Sequence, residues 1–114
     1  MPTLYHNPRC SKSREALALL QAQGCAPELV LYLETPPGTK QVKELLANLG
    51  ISARQLLRKT EDAYKALNLA DEKLTEAALI KAMIANPKLI ERPIFINGDK
   101  AVIGRPPETV LSIL

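Results

Sequence analysis

Residues 3–20, TLYHNPRCSKSREALALL, begin with the pattern of a strand and end with the pattern of a helix. Thr3 to His6 is an apolar and aromatic run, and the Asn7-Pro8 pair after it is a turn signal. From Ser11 onward the apolar residues recur at helical spacing, and Cys10 or Ser11 can cap the first turn. This stretch therefore predicts a strand, a short turn and a helix, with a cysteine where the helix begins.

The next segments extend this beginning into a βαβ unit. Gly24 is the expected end of the helix, and Glu28 to Leu33 (ELVLYL) is a strand-forming run closed by Thr35-Pro36-Pro37-Gly38. Because strand, helix, strand connections of this kind are right-handed, we expect two parallel strands with a helix across them.

The middle of the chain has helical periodicity. One longer helix carries an apolar stripe and ends at Gly50, and three shorter helical pieces follow it before Asn86-Pro87. The stripe consists of Val42, Leu45, Leu46 and Leu49, and the shorter pieces lie at Leu56-Leu57, Ala63–Leu67 and Glu76–Ala85.

The last part predicts a hairpin followed by a helix. Ile94 to Ile96 and Ala101 to Ile103 are strand-like, and Asn97-Gly98 between them is a strong signal for a tight hairpin turn. Pro106-Pro107 then opens a final helix, because proline is tolerated in a first helical turn.

Together these segments predict an α/β fold in which a mixed sheet of about four strands is flanked by helices. Such an arrangement is thioredoxin-like, with a helical insertion between the βαβ and ββα halves. We expect one domain over residues 1–114, with a core of about 1–35 and 88–114 and an insertion of about 36–87. In this fold the first helix starts near the loop before the hairpin, which would bring Cys10 close to Arg92 and Pro93.

Composition excludes several classes of protein. The 114 residues are 46% hydrophobic and 24% charged, and their net charge of +3 is too small and dispersed to indicate nucleic-acid binding. The apolar runs are too short to span a bilayer, and one histidine without a C-x-x-C pair gives no metal-ligand spacing. We expect a cytoplasmic protein without a metal site, a membrane segment or a nucleic-acid partner.

Cys10 is the candidate nucleophile. At a helix N-terminus, unpaired backbone N–H groups and the helix dipole favour a thiolate and can also bind an anion. Arg9, Lys12 and Arg14 add positive charge nearby, and His6 is a further candidate for this. The alternative is that Cys10 is a small buried apolar side chain, as many free cysteines are, and that His6 is structural.

No second thiol lies near Cys10 in the sequence. Ser13 occupies the position that would complete C-x-x-C, and Arg14 lies too close to Cys10 for the loop of a cysteine phosphatase. Cys25 follows the helix end without a basic flank, which indicates a structural role. A reactive Cys10 would therefore depend on an external thiol for turnover.

Three arginines lie next to apolar segments or prolines: Arg58 in LLRK, Arg92 in ERP and Arg105 in GRP. Each one alone is most simply a surface charge. Together, at one edge of the fold, their guanidinium groups would match a doubly charged tetrahedral oxyanion.

Five segments, YHNPRCSKSR, LYLETPP, LLRKTEDAYKALNL, ERPIFI and GRPPE, give the chain a resemblance to the glutaredoxin-dependent arsenate reductase family over essentially all 114 residues. The resemblance implies a thioredoxin-like fold with a helical insertion and a nucleophilic Cys10. It implies that the oxyanion is bound by Arg58, Arg92 and Arg105, that His6 and Ser13 lie in the environment of the thiolate, and that the Arg92-Pro93 bond is cis. The charge of Arg14, four residues after Cys10, adds this residue to the expected thiolate environment.

The activity implied by this resemblance is the reduction of arsenate to arsenite through an arsenic adduct on Cys10. Glutathione would be the co-substrate and glutaredoxin the protein partner, with no bound cofactor. A glutathione-dependent thiol reductase of the same fold is the nearest alternative, because fold does not determine function. A thiol-sensing regulator that binds RNA polymerase is a further one, although such regulators carry a C-x-x-C switch and this chain has Ser13 at its second position.

Overall fold

A mixed four-stranded sheet is the centre of the computed structural model, which describes residues 2–114. Its strands, in the order β2-β1-β3-β4, are β1 (Thr3–Tyr5), β2 (Glu28–Val30), β3 (Ile94–Asn97) and β4 (Lys100–Ile103). β1 is parallel to β2 and antiparallel to β3, and β3 and β4 form an antiparallel hairpin. The predicted mixed sheet with a parallel first pair is confirmed.

The helices follow the predicted order along the chain. They are α1 (Ser11–Ala22), α2 (Thr39–Leu49), α3 (Ala53–Leu56), α4 (Asp62–Ala66) and α5 (Glu76–Ala85), with 3-10 helices at Pro87–Leu89 and Pro107–Ile113. The chain divides into two compact units. The first unit runs up to Thr35 and resumes over Arg92–Leu114, and the second is Pro36–Glu91.

The core of the first unit lies between the sheet and two helical segments. One cluster of fully buried side chains there comes from β1, α1, β3 and the C-terminal 3-10 helix, and it consists of Leu4, Ala16, Leu20, Phe95 and Val110. Burial of each large apolar side chain contributes about 1.5–3 kcal/mol. These contacts hold α1 against the sheet and therefore fix the position of the residue that begins the helix.

The second unit is built from the predicted helical segments. In α2 the buried residues Val42, Leu45 and Leu46 form the expected stripe, and the helix ends at Gly50 with a left-handed φ of 68°. The hydroxyl of Thr75 accepts the N–H of Ala78 at 3.1 Å and so caps the start of α5.

The second strand is shorter than the sequence predicts. We expected it to extend to Leu33, but β2 ends at Val30, where its carbonyl accepts the N–H of His6 at 2.9 Å. The neighbouring strand β1 leaves the sheet at this point because Asn7-Pro8 turns the chain away. Without a partner strand, the residues after Val30 turn out of the sheet.

The hairpin turn lies one residue later than predicted. Asn97 belongs to β3 and pairs with Lys100, so Gly98 and Asp99 form the turn, with Gly98 at a φ of 67°. The side-chain amide of Asn97 donates to the carbonyl of Ile113 at 2.7 Å, in the C-terminal 3-10 helix. This contact ties Asn97 to the body of the first unit instead of leaving it in the turn.

Candidate active site

The loop between β1 and α1 is held by hydrogen bonds within the loop and by one from α1. The N–H of Cys10 donates to the carbonyl of Asn7 at 3.0 Å, and the side-chain oxygen of Asn7 accepts the N–H of Arg9 at 3.0 Å. The guanidinium of Arg14 donates to the carbonyl of Pro8 at 2.9 Å. Cys10 is the residue that precedes the first turn of α1, with extended backbone angles, so its half-buried thiol lies where the helix N–H groups are unpaired.

The environment of Cys10 lowers its pKa. Burial is the largest single influence and acts against the thiolate, but hydrogen bonds outweigh it: the N–H of Ser13, the guanidinium of Arg92 and the N–H of Lys12 all donate to the sulfur, and the charge of Arg92 adds to them. The net pKa therefore lies below its ordinary value. A thiolate is the nucleophilic form of cysteine, so this placement favours nucleophilic chemistry.

Arg92 and Arg105 both reach Cys10. Nη2 of Arg105 lies 3.8 Å from the sulfur, and the side chain of Arg92 hydrogen-bonds the same atom. Nε of Arg105 donates to the carbonyl of Arg92 at 2.8 Å, so the two segments are also joined to each other. The structure brings together the cysteine and two of the three arginines singled out in the sequence.

Two X-Pro bonds border these arginines. The Arg92-Pro93 bond is cis, as the family resemblance implied, and the Arg105-Pro106 bond is cis as well, which the sequence did not indicate. Both prolines directly follow an arginine that contacts Cys10.

Ser13 and His6 form a buried pair beneath the loop. Ser13 is fully buried and its oxygen accepts the N–H of Asn7 at 3.0 Å, while Nδ1 of His6 lies 2.7 Å from the same oxygen. Burial, together with the charge of Arg14, lowers the pKa of His6, and a neutral imidazole nitrogen can accept the serine proton. The sequence suggested that His6 adds positive charge, whereas its surroundings favour the neutral ring.

Ser13 therefore acts in two places. Its backbone N–H donates to the sulfur of Cys10, and its side chain ties α1 to the end of β1 through Asn7 and His6. In the sequence, Ser13 is notable mainly because it occupies the position of the second cysteine of a C-x-x-C pair.

Arg58 lies in the second unit. A bridge between Leu57 and Ile90 sets Arg58 beside Glu91, with Nε of Arg58 and Oε1 of Glu91 3.8 Å apart. Nη1 of Arg58 is buried and has no hydrogen-bond partner among residues 2–114. These contacts belong to its own unit, so the role of Arg58 in oxyanion binding stays a prediction.

Cys25 lies beyond the opposite end of α1 from Cys10. A helix of 12 residues is roughly 18 Å long, and Cys25 packs against the core cluster of the first unit after the helix ends. The two thiols are therefore separated by the length of α1.

Residues 2–114 contain neither a candidate metal cluster nor a helix that could span a membrane. No group of three or more His, Cys, Asp and Glu side chains in this range could hold a metal ion. None of the helices described is both long enough and apolar enough to cross a membrane.

The fold and this site define a thioredoxin-like protein whose first helix begins at a cysteine with a lowered pKa and has serine where a second cysteine could stand. The sequence matches the model of the ArsC family over residues 5–113. The chain belongs to the ArsC family, so the resemblance found in the sequence is confirmed.

Individual relatives agree with this assignment. The chain is 61% identical over 112 residues to the uncharacterized protein YfgD of Escherichia coli K12, covering 97% of this chain and 94% of YfgD. It is 52% identical over 112 residues to a protein of Haemophilus influenzae named arsenate reductase, covering 97% of each chain. The solved structure of an arsenate reductase from Vibrio cholerae superimposes with a TM-score of 0.97 at 52% identity, covering 99% of this chain and 97% of that one. The thioredoxin-like fold expected from the sequence is confirmed.

Proposed function

We propose that this protein reduces arsenate to arsenite, with Cys10 as the nucleophile. The observation that carries the proposal is the placement of one sulfur among two helix N–H groups and two arginines. Hydrogen bonds from the N–H groups and from Arg92 favour the thiolate form of the sulfur, and guanidinium groups bind tetrahedral oxyanions through paired hydrogen bonds. Relatives named arsenate reductases at 45–52% identity support arsenate as the oxyanion.

The first step is an attack of the Cys10 thiolate on arsenic. An S–As bond forms and an As–O(H) bond breaks; the leaving hydroxide takes one proton, from a second arsenate hydroxyl or from solvent, and departs as water, and the arsenic remains pentavalent. Negative charge on the arsenate oxygens is stabilised by Arg92 and Arg105, the electrostatic role that fixed donors play in many enzymes. Arg58 joins this set in the proposal on the strength of the family resemblance.

The reduction itself needs two electrons from outside the chain. The thiol of glutathione displaces a second oxygen from arsenic, again as water. A glutaredoxin thiolate then attacks the glutathione sulfur, and a glutaredoxin–glutathione disulfide forms. The electron pair of the bond between arsenic and the glutathione sulfur stays on arsenic, which becomes trivalent. Water releases arsenite and returns the Cys10 thiol. Because Cys25 lies at the other end of α1, an external thiol is the simpler resolving group.

This scheme keeps the other expectations drawn from the sequence. Glutathione is a co-substrate and no resident cofactor is required. The need for reduced thiols supports a cytoplasmic location, because that compartment keeps thiols reduced. The arginine pair at the sulfur favours an oxyanion substrate over a glutathione-linked thiol, and Ser13 disfavours the C-x-x-C switch of a regulator.

The test is arsenite formation by purified protein supplied with arsenate, glutathione and glutaredoxin. Cys10→Ser should reduce the rate to the uncatalysed background, whereas Cys25→Ser, which also removes one thiol, should retain the wild-type rate. Arg105→Ala should lower kcat/KM for arsenate by roughly 100- to 1,000-fold. Arsenite formation at the wild-type rate in Cys10→Ser would exclude Cys10 as the nucleophile.

A further inference from the structure

Gly104 lies where the two segments that carry the arginines of the site come into contact. It directly precedes Arg105, and its N–H donates at 2.8 Å to the carbonyl of Pro93, the residue after Arg92. Ile94 and Ile103 are the last paired residues of the β3–β4 hairpin at this end. Pro93 and Gly104 therefore continue the hairpin by one step, and the two arginines follow immediately.

No side chain fits at Gly104. A Cβ atom there would lie 2.8 Å from Cγ of Pro93 and 3.0 Å from Cγ1 of Val110, closer than the optimal carbon separation of about 3.5–4.0 Å. The proline ring is bonded to the backbone at two atoms, so it cannot rotate away as a flexible side chain would. Three other glycines have a left-handed φ, but Gly104 does not. Glycine is therefore needed at position 104 because of the limited space and not because of the backbone angle.

We propose that Gly104 is a positioning residue that sets the separation of Arg92 and Arg105 around the sulfur of Cys10. A side chain at this position would push Pro93 away from the end of β4, and Arg92 would move with it. That movement would stretch the 2.8 Å bond from Nε of Arg105 to the carbonyl of Arg92 and weaken the hydrogen bond from Arg92 to the sulfur. This inference deepens the proposed function, because the expected effect on oxyanion binding rests on that function.

The variant Gly104→Ala tests this, with Gly24→Ala as the matched control. Gly24 has a φ of 77° and nothing within 4 Å of a Cβ placed there. Alanine at Gly24 therefore strains the backbone at the far end of α1 without touching the arginines. Both variants introduce one methyl group, and both are expected to reduce stability.

Two readouts separate positioning from simple destabilisation. The first is the rate of Cys10 alkylation as a function of pH without arsenate, measured in the Cys25→Ser background so that one thiol reacts. The pH at which the alkylation rate is half of its maximum should rise in Gly104→Ala and should stay at the wild-type value in Gly24→Ala. The second is kcat/KM for arsenate, which should fall by up to about 100-fold in Gly104→Ala, the cost that a misplacement of about 1 Å can have, with the larger change in KM.

The outcomes are distinguishable. A wild-type alkylation profile in folded Gly104→Ala would overturn the inference, as would an equal shift in Gly24→Ala. A shifted profile with unchanged kcat/KM would support positioning and contradict oxyanion binding by this pair. If Gly104→Ala does not fold, Gly104→Ala/Val110→Ala relieves the contact with Val110 and keeps the one with Pro93, and Val110→Ala alone is its reference.

Discussion

At the scale of single residues, the charge state of Cys10 is governed by donors from two parts of the chain. Helix N–H groups reach the sulfur from α1, and Arg92 reaches it from the loop before β3. Each donor favours the thiolate, so removing one should raise the pKa. The nucleophile therefore depends on residues about eighty positions apart in the sequence.

The Arg92→Ala variant should shift the pH dependence of Cys10 alkylation. Alkylation follows the thiolate, so its rate rises with pH up to a plateau above the pKa, and a lowered pKa places this rise at lower pH. Without Arg92 the rise should move to higher pH and the rate at neutral pH should fall. Lys100→Ala removes an exposed positive charge from the same unit and should leave the profile in place; an equal shift there would mean that general charge, not the hydrogen bond, is responsible.

Replacement of Ser13 by alanine should destabilise the fold. The change leaves the buried N–H of Asn7 without its acceptor and Nδ1 of His6 without its partner, and an unsatisfied buried group costs about 1–3 kcal/mol. Urea unfolding of Ser13→Ala against Ser11→Ala, an exposed serine in the same helical turn, measures this loss. Equal unfolding free energies for the two variants would show that the buried hydroxyl contributes nothing.

At the scale of elements, α1 is held in place by its buried face. Leu20 is fully buried in α1, whereas Leu29 on the edge strand β2 is 43% exposed. Leu20→Ala should lower the free energy of unfolding by about 2–5 kcal/mol, and Leu29→Ala by much less. Both substitutions remove the same atoms, and urea unfolding measures their effects. Similar losses of unfolding free energy in the two variants would contradict the core described for this unit.

The elements also show what periodicity can and cannot predict. The stripe of α2 and the stop at Gly50 could be predicted because they depend on local spacing and on one backbone angle. The end of β2 at Val30 could not, because it depends on where the neighbouring strand leaves the sheet. The hairpin turn moved by one residue because the amide of Asn97 binds the distant carbonyl of Ile113.

At the scale of the whole molecule, the two cysteines determine where the electrons come from. Reduced protein mixed with arsenate in the absence of any added thiol should form no arsenite, since Cys10 can form an adduct but lacks a resolving thiol nearby. Arsenite can be measured after rapid quenching, and the protein can be checked for a disulfide by mass spectrometry. One arsenite per chain together with a Cys10–Cys25 disulfide would contradict this account.

The candidate site was only partly visible in the sequence. Cys10 could be placed at the start of a helix from the spacing around it, and its approach to Arg92 followed from the predicted fold. The bond from Ser13 to His6 and the close packing of Gly104 on Pro93 could not be predicted. Both depend on packing between separate elements, which leaves no periodic signal along the chain.

The most direct test of the central claim is protection of Cys10 from alkylation by arsenate. Arsenate seated against Arg92 and Arg105 covers the sulfur, so increasing arsenate should slow alkylation of the Cys25→Ser protein in a saturable way, without glutathione present. In Arg105→Ala, substantially more arsenate should be needed for the same protection. Alkylation that glutathione slows and arsenate leaves unchanged would contradict the account and favour a thiol reductase.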